Sequence, residues 1–212
     1  MKRLNMVPLV FLVALMLTGC GKTAVDVTTI AIQKDGTIEH TVVEEFGEES
    51  VDALQSLMQE KAAAYNNSYL SGESGIEVAD VEAGEGTVKV TMTYPNAEAF
   101  DGFMNMDVMA VDSDLRAPFF YDTVEDAYMQ GFDLEVELRG VEDEAVLQGK
   151  DDILLQGKNK LIIYDNAMNL GAPVQIHTQE KPLYISVNVT VAGKNLLEIS
   201  DTDEPAYILL EG

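Results

Sequence analysis

Thr87-Val88-Lys89-Val90-Thr91-Met92-Thr93-Tyr94 alternates polar with apolar residues along its whole length. Successive side chains of a strand point to opposite faces, so Val88, Val90, Met92 and Tyr94 share one face and the polar residues the other. Ile76 to Val81 precedes this run across Gly84-Glu85-Gly86, and the two predict a hairpin. Further upstream, Val25 to Gln33 and Thr37 to Phe46 are rich in Val, Ile and Thr and flank Lys34-Asp35-Gly36. Its Asp-Gly step favours another tight hairpin turn. Between the hairpins Leu54, Leu57, Met58, Ala62 and Tyr65 recur at helical steps behind Ser50, a good N-cap, which predicts a helix from Val51 to about Asn66-Asn67. After the second hairpin Asn96 caps a short segment with Phe100, Phe103 and Met104 on one side. The first half therefore reads ββαββα.

The second half turns to strands. A strand or loop is expected through Met109, followed by a short helix opened by the Thr123/Asp126 capping box, carried by Val124, Ala127 and Tyr128 and stopped at Gly131. Phe132 to Leu138, Leu161 to Tyr164 and Val174 to Thr178 read as strands. Tyr184 to Val191 reads as one strand with Ile185, Val187, Val189 and Val191 on a single face; it turns at Ala192-Gly193-Lys194-Asn195 and returns through Leu196 to Ile199 before a last strand, Ala206 to Leu210. The expected class is α+β, with antiparallel hairpins and two or three helices giving way to a β-rich C-terminal meander. An α+β part over 25–139 and a β-rich part over 140–212 are expected, with Gly140 to Asp152 as the best boundary unless the chain is one continuous domain.

The N-terminus carries an address. Lys2 and Arg3 precede a run from Leu4 to Leu17 that is apolar except for Asn5 and Pro8, about 14 residues, shorter than the roughly 20 a membrane-spanning helix needs. It ends in Leu17-Thr18-Gly19-Cys20, which holds the chain's one cysteine. This segment resembles the lipobox of bacterial lipoproteins. The resemblance implies a signal peptide over 1–19, cleavage before Cys20, diacylglycerol on its thiol and acylation of the new amino group. It further implies a lipid-anchored protein on the cell membrane, facing outside the cytoplasm. Residues 20–24 then form a tether short enough to hold the domain near the headgroups.

A broader resemblance runs along the mature chain. Gly36-Thr37 to Glu44-Glu45-Phe46, a helix ending Tyr65-Asn66, Gly86-Thr87-Val88 to Tyr94, Phe119-Phe120-Tyr121-Asp122-Thr123-Val124, Lys181-Pro182-Leu183-Tyr184-Ile185-Ser186 and Tyr207-Ile208-Leu209 look like uncharacterised envelope lipoproteins of clostridia-type Gram-positive bacteria. That resemblance implies location and fold, and no activity.

Charge and chemistry narrow the function classes. With 37 Asp and Glu against 13 Lys and Arg the net charge is −24, which disfavours nucleic acid and bare anionic lipid. Loss of residues 1–19 removes Lys2 and Arg3 and no acid, so the mature chain is more acidic still. Only His40 and His177 could serve as imidazole bases, and Cys20 would be alkylated, so a nucleophilic triad is not expected. His40 shares a strand face with Ile38, Val42 and Phe46 and reads as a half-buried, hydrogen-bonded sheet residue; His177 reads as another sheet residue. Asp112 with Asp114, and Asp201, Asp203 and Glu204, offer hard oxygen ligands without the rest of a calcium loop. Met104 and Met106, with Met109, could hold Cu(I), but Phe100 and Phe103 beside them indicate packing. No catalytic residue and no cofactor is expected. The leading expectation is a non-catalytic envelope module that binds a protein or small-molecule ligand; the alternative is a carboxylate-dependent hydrolase acting on envelope or dietary glycans.

Overall fold

The structure, a computed structural model, describes residues 27–47, 50–70, 74–84, 86–109, 117–143, 145–165, 173–200 and 204–212. Leu17, Thr18, Gly19 and Cys20 lie outside the described residues, as do Asp112, Asp114, Asp201 and Asp203. The fold is mixed α+β. Thirteen strands among the described residues form two sheets, and the C-terminal region is rich in strand.

Both N-terminal hairpins form. β1 (Thr28–Ile32) and β2 (Ile38–Glu45) pair antiparallel around a turn in which Gly36 adopts φ 86°. β1 begins at Thr28 rather than at the expected Val25. β3 (Glu77–Ala83) and β4 (Thr87–Tyr94) make the second hairpin, and β4 buries Val88, Val90, Met92 and Tyr94 while its other side chains stay half-exposed. Between the hairpins runs α1 (Val51–Tyr69), longer than expected, with the Ser50 side chain accepting from the Ala53 N–H.

The first sheet has seven strands in the order β11-β12-β9-β1-β2-β4-β3, where β9 is Val174–His177, β11 Val189–Gly193 and β12 Leu196–Ile199. Its outer face is polar in register. Thr190, Glu198, Gln175, Thr29, Thr41, Thr91 and Asp80 are successive cross-strand partners from one edge to the other. The inner face packs Ile30, Ile38, Val90, Tyr94, Ile176 and Leu197 into a core shared with α1, with α2 (Ala97–Met104) and with one face of the second sheet.

The second sheet runs β5-β8-β13-β10-β6-β7: β5 Phe119–Thr123, β8 Lys160–Tyr164, β13 Ala206–Leu210, β10 Pro182–Ile185, β6 Glu137–Gly140 and β7 Val146–Gln148. Its far face carries Phe120, Leu161, Ile163 and Leu209 against α4 (Val124–Met129) and α5 (Gly149–Leu154). This sheet is thus covered on both sides, and all five residues of β13 are buried. Strands from before and after the Gly140 to Asp152 stretch share each sheet.

Several local expectations are corrected. Met106–Met109 is a single helical turn, α3, where a strand or loop was expected. Phe119–Thr123 is a strand that periodicity does not announce, because its Phe119 and Phe120 are buried on opposite faces of a doubly covered sheet. Phe132 to Val136 is irregular and only Glu137–Gly140 pairs, since Phe132 N–H goes to Ala127 O and Val136 O accepts from Gly149. The first of those bonds, with Gly131 N–H to Tyr128 O and φ 85° at Gly131, closes α4 in a Schellman motif.

The largest correction is at Tyr184 to Val191, which is two strands in two sheets. The break lies at Ser186, Val187 and Asn188. Ser186 N–H goes to Tyr207 O, Val189 N–H returns to Ser186 O, and Asn188 Nδ2 donates to Glu204 O at 2.9 Å. Ile185 and Val189 are buried on opposite sides of this crossover, and Val187 between them is 76% exposed. The chain then forms the β11–β12 hairpin in the first sheet and returns to the second as β13, so the C-terminal strands alternate between sheets.

Gly102 shows how tightly α2 meets α1. A Cβ there would run into the phenol oxygen of buried Tyr65, whose ring stacks edge-on to Phe103 at 5.7 Å. Gly102→Ala is expected to destabilise by about 1–2 kcal/mol, overpacking outweighing the helix propensity it gains. In a Tyr65→Phe background the same change should become neutral or stabilising; equal losses in both backgrounds, by urea denaturation, would refute the steric cause.

Candidate functional site

Two clefts open at the ends of β10, where the chain passes between the sheets. The first, about 710 Å³, lies where β9 hands over to β10. Its walls are the 179–182 crossover, the β11–β12 turn and the end of β6. Asn195, at φ 54°, holds the turn against the crossover: its carbonyl accepts from Thr178 N–H and its Nδ2 donates to Gln179 O, both at 3.0 Å. Thr178, fully buried, donates its hydroxyl to Glu180 O at 2.8 Å. Glu142, Glu180 and Glu211 face this cleft together with Lys181 and Lys194. Lys181 and Glu142 form an exposed ion pair at 2.6 Å. Glu180 Oε2 is buried with no hydrogen-bond partner among the described residues. Burial, and then the Glu180 carboxylate, push the neighbouring Tyr121 phenol up to about 12.

The second cleft, about 790 Å³, lies at the other end of β10. Ser186 and Asn188, each under a tenth exposed, form its back wall and are bonded to one another at 2.6 Å. Ser186 Oγ also accepts from Tyr207 N–H at 2.9 Å, and Tyr207 donates its phenol to Asp133 O at 2.9 Å. Four carboxylates surround the opening, Asp133, Glu135, Glu137 and Glu204, with Arg139 the one cation among the described lining residues. Arg139 reaches from β6 to the first sheet, where its Nη2 donates to Val189 O at 3.1 Å.

The candidate residues fall out differently. His40 is 4% exposed, edge-on to Phe100 at 5.2 Å and tilted against Tyr94 at 6.5 Å. Burial lowers its pKa to about 4. It is therefore more deeply buried than the half-buried residue expected. His177 is exposed at the end of β9. The cross-strand partners Ile176, Ile30 and His40 share one face and His177, Ala31 and Glu39 the other, so the two imidazoles face opposite sides of the sheet. Met104 and Met106 are half-buried and pack against the larger core. Glu204 alone of the candidate calcium ligands is described, and it lines the second cleft. Among the described residues, no group of three His, Cys, Asp or Glu side chains is placed to hold a metal ion.

What the sequence did not single out is Arg139, Glu135, Glu137, Glu180 and the buried pair Ser186 and Asn188. The last two carried a signal: small polar residues two apart inside an apolar run suit a side-chain-bonded turn better than a continuous strand. No family model, curated protein or solved structure matches this chain.

Proposed function

We propose that the chain is a lipid-anchored extracytoplasmic binding module that captures a protein or small-molecule ligand without transforming it. The observation that carries the anchor is Leu17-Thr18-Gly19-Cys20 behind a basic start and a short apolar run. Two acyl chains on Cys20, at about 0.8 kcal/mol per buried CH₂, would hold this acidic protein on a membrane its charge repels. Binding rather than turnover is favoured because the described lining of both clefts sets carboxylates and cationic side chains along a strand edge while both histidines lie outside it. The four carboxylates at the second cleft are what a hydrolase reading would use.

Mass spectrometry of the N-terminal peptide from native membranes is expected to show a mature chain beginning at an acylated Cys20. Cys20→Ala should move the protein from the membrane to the soluble fraction. An unmodified cysteine, or a Cys20→Ala variant still in the membrane, would defeat the anchor. Turnover of glycans by the soluble domain, abolished by Glu137→Gln or Glu204→Gln in a folded variant, would replace the binding reading with the hydrolase.

A further inference from the structure

We infer that the two clefts form one trough along the open edge of β11, and that it receives an extended, positively charged peptide segment of a partner protein, which pairs with β11 as an added strand. This rests on the binding reading above and names the partner's chemistry.

Among the described residues β11 ends the first sheet and has β12 on one side only. Val189 N–H turns back to Ser186 O and Ser200 N–H goes to Asn188 O, which makes Val189 and Ile199 a pair not bonded to each other. Val189 therefore points its carbonyl away from β12, and Arg139 takes it. Antiparallel pairing alternates, so Val191, opposite Leu197, turns its own N–H and C=O to the same open edge. Val191 is 48% exposed and lines the first cleft, while Val187 and Asn188, just before β11, line the second. Arg139 lines the second cleft, its guanidinium donating to Val189 O where the N–H of an added strand would donate.

The second sheet carries the floor of this trough, because β10 and β6 lie beyond β13 in the sheet order: β10 lines both clefts, β6 the second, and Val141 and Glu142 just after β6 the first. Charge selects the occupant: the two clefts together present seven carboxylates and three cationic side chains. An extended segment with alternating basic and apolar residues satisfies the edge through its backbone and the rim through its charges, the strand-addition mode of peptide recognition. On docking it displaces Arg139 from Val189 O, so Arg139 closes the edge in the unbound protein and keeps copies from pairing edge to edge.

The test titrates the full chain, in detergent, with a blocked peptide of about ten residues alternating lysine and valine, read by calorimetry. Saturable binding is expected. Val191→Pro removes the donor that β12 does not use, so its melting midpoint should stay near the parent's while the peptide binds at least tenfold more weakly. Arg139→Ala opens the edge and removes a cation, and should bind about tenfold more tightly. A glutamate–valine peptide should not bind. Spermine binding as well as the peptide, Val191→Pro leaving affinity unchanged, or Arg139→Ala weakening it would each overturn strand addition. None of these results bears on whether Cys20 is acylated; cleavage of the bound peptide would retain the docking site and discard the non-catalytic reading.

Discussion

Replacing Asn105 by leucine is expected to lower the unfolding free energy by about 4 kcal/mol, because two buried backbone groups would each lose their partner at about 1–3 kcal/mol apiece. Asn105 is 1% exposed. Its Nδ2 donates to Asp101 O at 2.9 Å and to Ala117 O at 3.0 Å, and its Oδ1 accepts from Ala117 N–H at 3.0 Å. Asp101 extends the clamp by accepting from Phe119 N–H at 2.9 Å. One amide thus fastens the end of α2 to the chain that enters β5, and so one sheet to the other. Leucine matches the volume and none of the bonds. The neighbouring thioether is the control: Met104→Leu keeps volume and apolarity and should cost under about 1.5 kcal/mol. Urea denaturation with an unchanged slope measures both; a loss below about 1 kcal/mol for Asn105→Leu would mean that water reaches Ala117.

Asn105 also shows where the sequence is a poor guide. Met104-Asn105-Met106 draws the eye to its two sulfurs, yet the structural work falls to the amide between them, whose partner lies 12 residues further along. The legible parts of the fold are those with one face in water. β4 alternates because its sheet is polar outside. In the second sheet β8 and β13 are legible only as short apolar runs, Leu161 to Tyr164 and Ala206 to Leu210, since covering both faces removes the period-two signal, and β5 and β7 are not legible at all. The same physics misleads at Tyr184 to Val191, where Ile185 and Val189 keep the apolar beat while belonging to different sheets. The trough is least legible. Arg139, Asn188 and Glu204 come from three separated segments, and an acid among 37 acquires meaning only from what the crossovers place beside it.

His40 is expected to make the fold acid-sensitive through burial alone. In the unfolded chain the imidazole takes a proton near pH 6.5; in the fold its pKa is lowered to about 4 by burial among Tyr94 and Phe100. Between those values the unfolded chain binds the extra proton, so stability is complete above about pH 7 and is lost as pH falls, reaching a total near 3 kcal/mol below pH 4. Carboxylates titrate in the same window, so the difference between parent and His40→Leu carries the information. At pH 7 the leucine variant should be less stable by about 1 kcal/mol, having exchanged a planar ring packed on Phe100 and Tyr94 for a branched side chain of different shape. At pH 4.5 the order should reverse, the gap moving by about 2–3 kcal/mol in the variant's favour. His177→Leu, at an exposed strand end, should cost less than His40→Leu at pH 7. Parallel profiles for parent and His40→Leu between pH 7 and 4.5 would show that the imidazole is solvated in the fold.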